Sequence, residues 1–478
     1  MPDATLGPKV RALRRRESLS QIALAERLGI SPSYLNLIEH NRRALSAPLL
    51  IKLAQVFRLD LHDFSPESDS RLAADLLEAF GDAVFEGADL TSAEVRELAA
   101  NLPSVARAVL ALYGAYRGAR ESESEMAARL SSDDAGSVKS WRLPSEEVSD
   151  LLQRHVNHFP ELEEGAEALW REARLDGSDL YEGLVRHLER RHKVRVQVEK
   201  TGAMEGAARR YEPRSRTLAL SEVLRRGSRN FQLAYQVGLL EHRAAIERVS
   251  GDPMLGSDES RALMRVALAN YFAGAVLMPY GPFLEAARSE RYDIEVLGNR
   301  FRTSFEQTCH RLTALRRPGA EGVPFHFVRV DVAGNISKRF SASGLRFARF
   351  SGACPRWNVF AAFLTPGMVR VQLSQMPDGR TYFWVARTLR KDSGRYHAPH
   401  TVLAIGLGCE ARHARELVYA DGVDLENKEA VVPVGVTCRL CERLDCEQRA
   451  FPAVMHPLRV DENARGISFY APVGGSQG

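Results

Sequence analysis

The stretch Leu19 to Arg43, LSQIALAERLGISPSYLNLIEHNRR, decides how the N-terminal part of this chain is read. Ser20 is an N-cap residue, and Ile22, Ala25 and Leu28 recur at helical spacing, which predicts a helix with one inward face. Gly29 permits a tight turn. Ser31 is a second N-cap followed by Pro32 at the first helical position, where the missing N–H is harmless, and Leu35 and Ile38 go to the core. The pattern is a helix-turn-helix. The second helix leaves Ser33, Tyr34 and Asn36, with Ser31 at its cap, where such helices meet base edges in the major groove, while Gln21, Arg42 and Arg43 can reach phosphates.

Charge supports that reading. Residues 1 to 59 hold ten Lys/Arg against four acids, a net +6, whereas the whole chain is only +4 and the remainder is therefore −2. Positive charge is concentrated where a phosphate backbone would lie. On these residues, Gly7 to Phe64 resembles the five-helix module of the phage-repressor-like XRE regulators, with Ala47 to Phe57 as its fourth helix. The partner this implies is a double-stranded DNA operator.

The 478-residue length allows about three domains, and 45% hydrophobic content supports sizeable cores. No apolar run follows the first Met and no segment approaches roughly twenty uninterrupted apolar residues, so neither export nor a membrane partner is expected and a cytoplasmic location is. Six cysteines in so long a chain are not a disulfide scaffold.

Beyond Phe64 the polar run SPESDS reads as a break, followed by helical segments. In the first, Leu72, Leu76, Leu77 and Phe80 share a face; Thr91 and Glu94 make a capping box before the next. Pro103 opens another, on which Val105, Val109, Leu112, Tyr113 and Tyr116 form a stripe that either packs on its own domain or pairs two copies; because one module contacts a single half-site, pairing into a homodimer or higher homo-oligomer is favoured. Residues 121 to 140 have linker composition. Helical pattern returns at Pro144 and ends in the strand-like VRVQVEK, then two short strands from Ala208 to Leu220 and a helix over Phe231 to Arg243 capped by Ser228. Past Arg316 the pattern alternates, with Pro377-Asp378-Gly379 at a hairpin turn. His397 and His400 fall in a polar loop and read as solvated.

The order strand, hairpin, FQLAYQVGLLEH, ALANYFAGAVLMP resembles the metallopeptidase-like domain of the ImmA/IrrE family, whose first helix carries His-Glu-x-x-His for zinc. Here Tyr235, Gln236 and Leu239 stand at the positions of that motif, and Leu268 stands where an acidic ligand is usual. A tyrosine, an amide and two leucines cannot supply the donors zinc takes, so a zinc protease is disfavoured and a small-molecule pocket in the retained cleft is expected.

Cys438, Cys441 and Cys446 are spaced C-x2-C-x4-C in a Gly/Pro-bounded loop, and Cys409 follows the apolar run TVLAIGLG. Four thiolates suit a tetrahedral zinc or an iron–sulfur cluster, and spacing alone favours zinc on general frequency. Cys309 and Cys354 lack such neighbours and read as buried small hydrophobes.

Taken together with SFEQTCHRLTALRRPG, MPDG, LGCEARHARELVYADG and CRLCERLDCEQRAFP, the chain resembles the short-chain acyl-CoA-responsive regulators of glyoxylate, methylcitrate or related carboxylate pathways. The resemblance implies a transcriptional regulator rather than an enzyme, with a short-chain acyl-CoA or CoA as effector and a 4Fe-4S cluster on Cys409, Cys438, Cys441 and Cys446. Within the pocket, Tyr235 and Tyr271 would pack the adenine or pantetheine, and Arg209 and Arg210 would pair with CoA phosphates. A redox-sensing iron–sulfur regulator without acyl ligand is the alternative. The expected fold class is α+β and multidomain: an all-α helix-turn-helix domain (1–66), a helical dimerisation segment (67–130), an ImmA/IrrE-like α+β ligand domain without the zinc motif (141–316) and a β-containing, cysteine-bearing C-terminal domain (317–478).

Overall fold

In the computed structural model, residues 7–17, 19–40, 42–43, 45–57, 66–85, 90–129, 144–175, 179–348, 353–391, 400–439, 441–453, 466–468 and 470 are described. By internal contact they fall into two compact units: residues 1–136, 348–352 and 436–478, and residues 137–347 and 353–435. The architecture is mixed α and β, as the patterning predicts. The contact division is coarser than the division by motif, since residue 317 lies within the second unit and the cysteine loop belongs to the first.

In the first unit, α1 (Gly7–Arg16), α2 (Gln21–Leu28), α3 (Pro32–Glu39) and α4 (Ala47–Phe57) close around Val10, Leu24, Leu28, Leu35, Ile38 and Leu53. A fifth helix of the module would fall on residues 58–65, outside the described residues. Helix α5 (Pro66–Phe80) begins within SPESDS, so that run is a helix start and not a break. Pro at the first position and acids in the first turn suit the N-terminal dipole, which explains how a polar run can open a helix. It packs against α6 (Ser92–Asn101), whose Thr91–Glu94 capping box forms, and α7 (Pro103–Arg129). Helix α7 extends through residues 121–129, which carry helix-favouring Glu, Met, Ala and Arg; only the later part of the expected linker lies outside the described residues. The stripe on α7 divides: Tyr113 is buried and its hydroxyl donates to Asp82, while Val105 and Leu112 are exposed.

The second unit starts with α8 (Pro144–Arg154), α9 (Pro160–Glu172) and α10 (Leu180–His192). Then come β1 (Arg195–Glu199), α11 (Thr201–Met204), β2 (Arg209–Glu212) and β3 (Thr217–Ser221). These strands order β1-β3-β2, with β1 parallel and β2 antiparallel to β3. Helix α12 (Arg226–Glu241) begins five residues before Phe231, and Ser228 lies inside it. Its start is fixed from outside: Arg226 pairs with Asp179 at 2.9 Å and stacks over Tyr181, so no local cap is needed. Helices α13 (Arg243–Ser250), α14 (Asp258–Leu277), α15 (Tyr280–Ser289), α16 (Ile294–Phe301) and α17 (Phe305–Thr313) follow. Helices α12 and α14 cross closely because Gly238 has no side chain; a Cβ there would sit 2.8 Å from the Phe272 ring.

A six-stranded sheet completes this unit: β4 (His326–Asp331), β5 (Ile336–Phe340), β6 (Arg370–Gln375), β7 (Thr381–Lys391), β8 (Thr401–Glu410) and β9 (Val432–Pro433) in the order β5-β4-β8-β7-β6-β9. A short helix, α18 (Asn358–Ala361), precedes β6. All pairings are antiparallel except β6 with β9, and Pro377-Asp378-Gly379 does turn the β6–β7 hairpin, with Gly379 at φ 84°. One core runs from Leu268 and Phe272 through Leu312 to Phe327, Phe383 and Ile405. Cys309 and Cys354 are buried, as expected of small hydrophobes. His397 lies outside the described residues, while His400 contacts Arg390.

His326 is fully buried on β4, between Ser341 Oγ at 3.2 Å and Ser343 Oγ at 2.9 Å, and burial alone pushes its pKa down to about 3. The folded ring is therefore neutral where the unfolded one is protonated. Its contribution is complete above the unfolded value near 6.5 and is lost as pH falls toward 3, by up to about 1.4 kcal/mol per pH unit. Denaturant melts from pH 7 to 4.5 should show stability declining in this window, and His326→Gln should show a shallower decline; parallel slopes would contradict a neutral His326.

Candidate functional site

The helix-turn-helix forms with the caps its sequence encodes. Ser20 Oγ accepts from Ala23 N and Ser31 Oγ from Tyr34 N, each at 3.1 Å, and Gly29 takes φ 69° at the end of α2. The inward face of α2 is Leu24, Ala25 and Leu28; Ile22, expected inside, is 60% exposed. Leu24 is one turn from Leu28 and takes the place that spacing alone had given to Ile22. On α3, Ser33 and Asn36 are exposed and Tyr34 is half-buried. Arg42 and Arg43 are exposed, with both backbone N–H groups donating to Leu37 O.

Gln21 ties α2 to α3: its side-chain amide donates to Glu39 Oε2 at 2.8 Å. Glu39 also receives Arg14 through two hydrogen bonds, at 2.6 and 2.9 Å. Burial opposes ionisation of Glu39, but these donors prevail and hold its carboxyl below the usual range. Sequence reasoning missed this group; its signal was an acid on the inward side of α3, which demands a buried partner.

In the second unit the residues at the degenerate motif close on one another. Tyr235 and Gln236 are buried and Leu268 is fully so. Strand β2 sends Arg209 across them: its Nη1 donates to Gln236 Oε1 at 2.6 Å, and its guanidinium lies 4.2 Å from the Tyr235 ring centroid. Burial lowers the Arg209 pKa from its ordinary value, although the guanidinium stays charged. Among the described residues no carboxylate pairs with it; its partners are an amide and a π face. Arg210, alternating to the other side of β2, is exposed and pairs with Glu205 at 3.0 Å.

Tyr271 belongs to a different group. Its hydroxyl donates to Glu163 Oε1 at 2.6 Å, and Glu163 binds Arg311 through two contacts of 2.5 and 2.9 Å. Burial, with the neighbouring Glu163 carboxylate, raises the Tyr271 hydroxyl well above its ordinary range, so it remains a donor. A separate cleft of about 400 Å³ is lined by Arg291, Arg415, Asp421 and Glu426, away from all four expected pocket residues.

The tail loop is wound around one guanidinium. Arg449, 4% exposed, donates to the carbonyls of Cys438 at 2.6 Å and of Cys441 and Arg443 at 2.7 Å. Cys438 is buried and Cys441 and Cys446 are half-buried. The three sulfurs are on one loop but do not lie within 4.8 Å of one another as a donor group. Cys409 is fully buried on β8 opposite Phe383, in the core of the second unit, and burial drives its thiol well up. Soft thiol donors on a loop whose carbonyls are already tied back fit a metal or cluster that binds sulfur.

Known proteins agree with this organisation. Residues 10–64 match a helix-turn-helix family, residues 189–313 the IrrE N-terminal-like domain, and residues 314–470 the C-terminal domain of short-chain fatty acyl coenzyme A regulators. The chain is 41% identical over 472 residues to the HTH-type transcriptional regulator RamB of Mycobacterium tuberculosis, covering 98% of this chain and 99% of that one. It is 40% identical to PrpR, an HTH-type transcriptional regulator of the same organism (96% and 94% covered), and 41% identical to a propionyl-CoA carboxylase regulator of Cereibacter sphaeroides (97% and 98%). A solved Mycobacterium tuberculosis transcriptional regulator superposes with a TM-score of 0.66 at 42% identity, covering 69% of this chain and 100% of that one. The chain belongs to the short-chain fatty acyl coenzyme A regulators, a family of helix-turn-helix transcriptional regulators and not of enzymes.

Proposed function

We propose that this regulator binds its operator as a homodimer or higher homo-oligomer in the cytoplasm and that a short-chain acyl-CoA, with propionyl-CoA the first to test, sets its operator affinity. In this reading residues 1–66 bind DNA, 67–130 pair copies, 141–316 hold the effector and 317–478 hold the metal. The carrying observation is Arg209: a half-buried cation with no carboxylate partner among the described residues, beside an aromatic ring, where the resembling peptidases hold their metal. An unpaired buried charge is costly, and an anionic phosphate or a polarised thioester oxygen would satisfy it. Arg210, on the other side of β2, would take a second phosphate by leaving Glu205, and Tyr235 offers a face for pantetheine or adenine. Tyr271 would act from behind, by holding α14 against α9. Exposed Val105 and Leu112 on α7 support pairing of copies.

The effector can act only through unequal affinity for DNA-competent and incompetent arrangements. Ser31, Ser33, Tyr34 and Asn36 would read bases, and Arg42 and Arg43 would hold phosphates. We assign a 4Fe-4S cluster to Cys409, Cys438, Cys441 and Cys446, with zinc as the other soft-metal occupant. A cluster would supply oxidation-sensitive chemistry, while Arg449 shapes the loop that carries three of the ligands. A second reading, in which redox state is the only input, rests on the four cysteines.

Arg42→Ala with Arg43→Ala should weaken operator and random DNA alike and reduce the salt slope by about two, whereas Asn36→Ala should cost about 1–3 kcal/mol on the operator alone. Anisotropy titrations at several salt concentrations separate these roles, and a changed sequence preference with an unchanged slope reverses them.

Propionyl-CoA at about a hundredfold over its dissociation constant should stabilise the protein by roughly 2.7 kcal/mol by mass action. Arg209→Gln should remove most of that shift in a thermal melt. Identical melts with acetyl-CoA, propionyl-CoA and free CoA absent or present would refute the effector.

Anaerobically purified protein should contain iron and sulfide in near-equal amounts and lose both in Cys441→Ser. Colourless protein with zinc in that loop would replace the cluster, and retention of iron in Cys409→Ser would remove Cys409 from the ligand set.

A further inference from the structure

Outside the regions above, one cluster of metal-ligating side chains is already assembled. His187 lies in α10 and His192 ends it, while Glu241 ends α12. His187 Nε2 and His192 Nε2 each stand 2.6 Å from Glu241 Oε1, and the three ligand atoms lie within 4.8 Å of one another. Among the described residues this is the one group of three or more such donors so disposed. The side chains are 8%, 19% and 14% exposed, so the group is sheltered yet reachable from solvent.

Two imidazole nitrogens and one carboxylate oxygen are the borderline donors that zinc-class ions prefer over calcium or magnesium. Both α10 and α12 end here, and the negative ends of their dipoles favour a cation. Arg191 Nε lies 3.4 Å from the same Glu241 oxygen, and it is the one competing cation recorded there. Its side chain is 60% exposed and can swing into water. Without metal, one carboxylate oxygen accepts from both rings and leans on Arg191, so the bland reading is a hydrogen-bonded clasp. A metal here would draw one ligand atom from each of the three side chains.

We infer that His187, His192 and Glu241 form a site for a zinc-class divalent metal ion that fastens the end of α10 to the end of α12. The site is separate from the lost peptidase motif, whose positions are Tyr235, Gln236, Leu239 and Leu268 on α12 and α14. It is separate also from the cysteines. A metal here would steady the helix that carries Tyr235.

The test uses the full chain, purified anaerobically with its cysteine centre intact, dialysed against a mild chelator and titrated with Co2+. One added equivalent should appear with visible d–d absorption but without the intense near-ultraviolet sulfur-to-cobalt band that marks thiolate ligation; Zn2+ should displace it and raise the melting temperature. His187→Gln with His192→Gln should lose this equivalent while keeping iron, sulfide and DNA binding. Should that double variant fail to fold, Glu241→Gln keeps an oxygen to accept from both rings and should lose the equivalent as well. Absence of a sulfur-free Co2+ equivalent in the unaltered chain, or its full retention in Glu241→Gln, overturns the proposal.

Discussion

The second unit depends on the ion pair between Glu163 of α9 and Arg311 of α17. Both side chains are almost wholly buried, at 1% and 2% exposure, and isolated charges there would each cost several kcal/mol. The cost is offset because every strong valence is met: two contacts join the pair, Arg311 Nε donates to Met278 O at 2.8 Å, and Tyr271 donates to Glu163. Burial works against ionisation of Glu163, yet Arg311 holds its carboxyl below the ordinary range. Helices α9, α14 and α17 are thereby set in register. That register places Phe272 against Gly238, brings α12 close to α14 and leaves Tyr235 and Gln236 beneath Arg209.

A fold resembling a metallopeptidase domain has thus kept a positive centre while losing the residues that would hold zinc. In such peptidases a divalent cation polarises oxygen; here a guanidinium occupies the corresponding region, bound to an amide and a ring. Arginine cannot activate water as a bound metal does, but it pairs well with phosphate and carbonyl oxygens. Under the proposed reading, such a site would recognise an anion without hydrolysing it. The Gln236 amide accepts from Arg209 without neutralising it, as a glutamate at that position would.

Local chemistry was the legible part of the sequence. Ser20, Ser31 and the Thr91–Glu94 box cap the helices they were expected to cap, Pro377-Asp378-Gly379 turns its hairpin, and the missing zinc ligands were visible from four positions. Tertiary contacts were not legible. Spacing could not choose between Ile22 and Leu24, because adjacent helical faces differ by a small rotation. Ser228 misplaced the start of α12 because Asp179 and Tyr181 hold Arg226 from 45 or more residues away. The Glu163–Arg311 pair and the meeting of Glu241 with His187 and His192 each join segments whose meeting no local pattern encodes. The Tyr271 hydroxyl, which spacing could not place, supports the buried pair.

In the proposed reading the effector engages the chain at Arg209, on the degenerate peptidase face. Hydrogen–deuterium exchange with and without saturating propionyl-CoA tests it most directly, because it reads where protection appears without altering any residue. Engagement at Arg209 should slow exchange across residues 205–212 and 226–241. Protection confined to residues 415–426, around the cleft beside Arg291, with β2 and α12 unchanged, would contradict it.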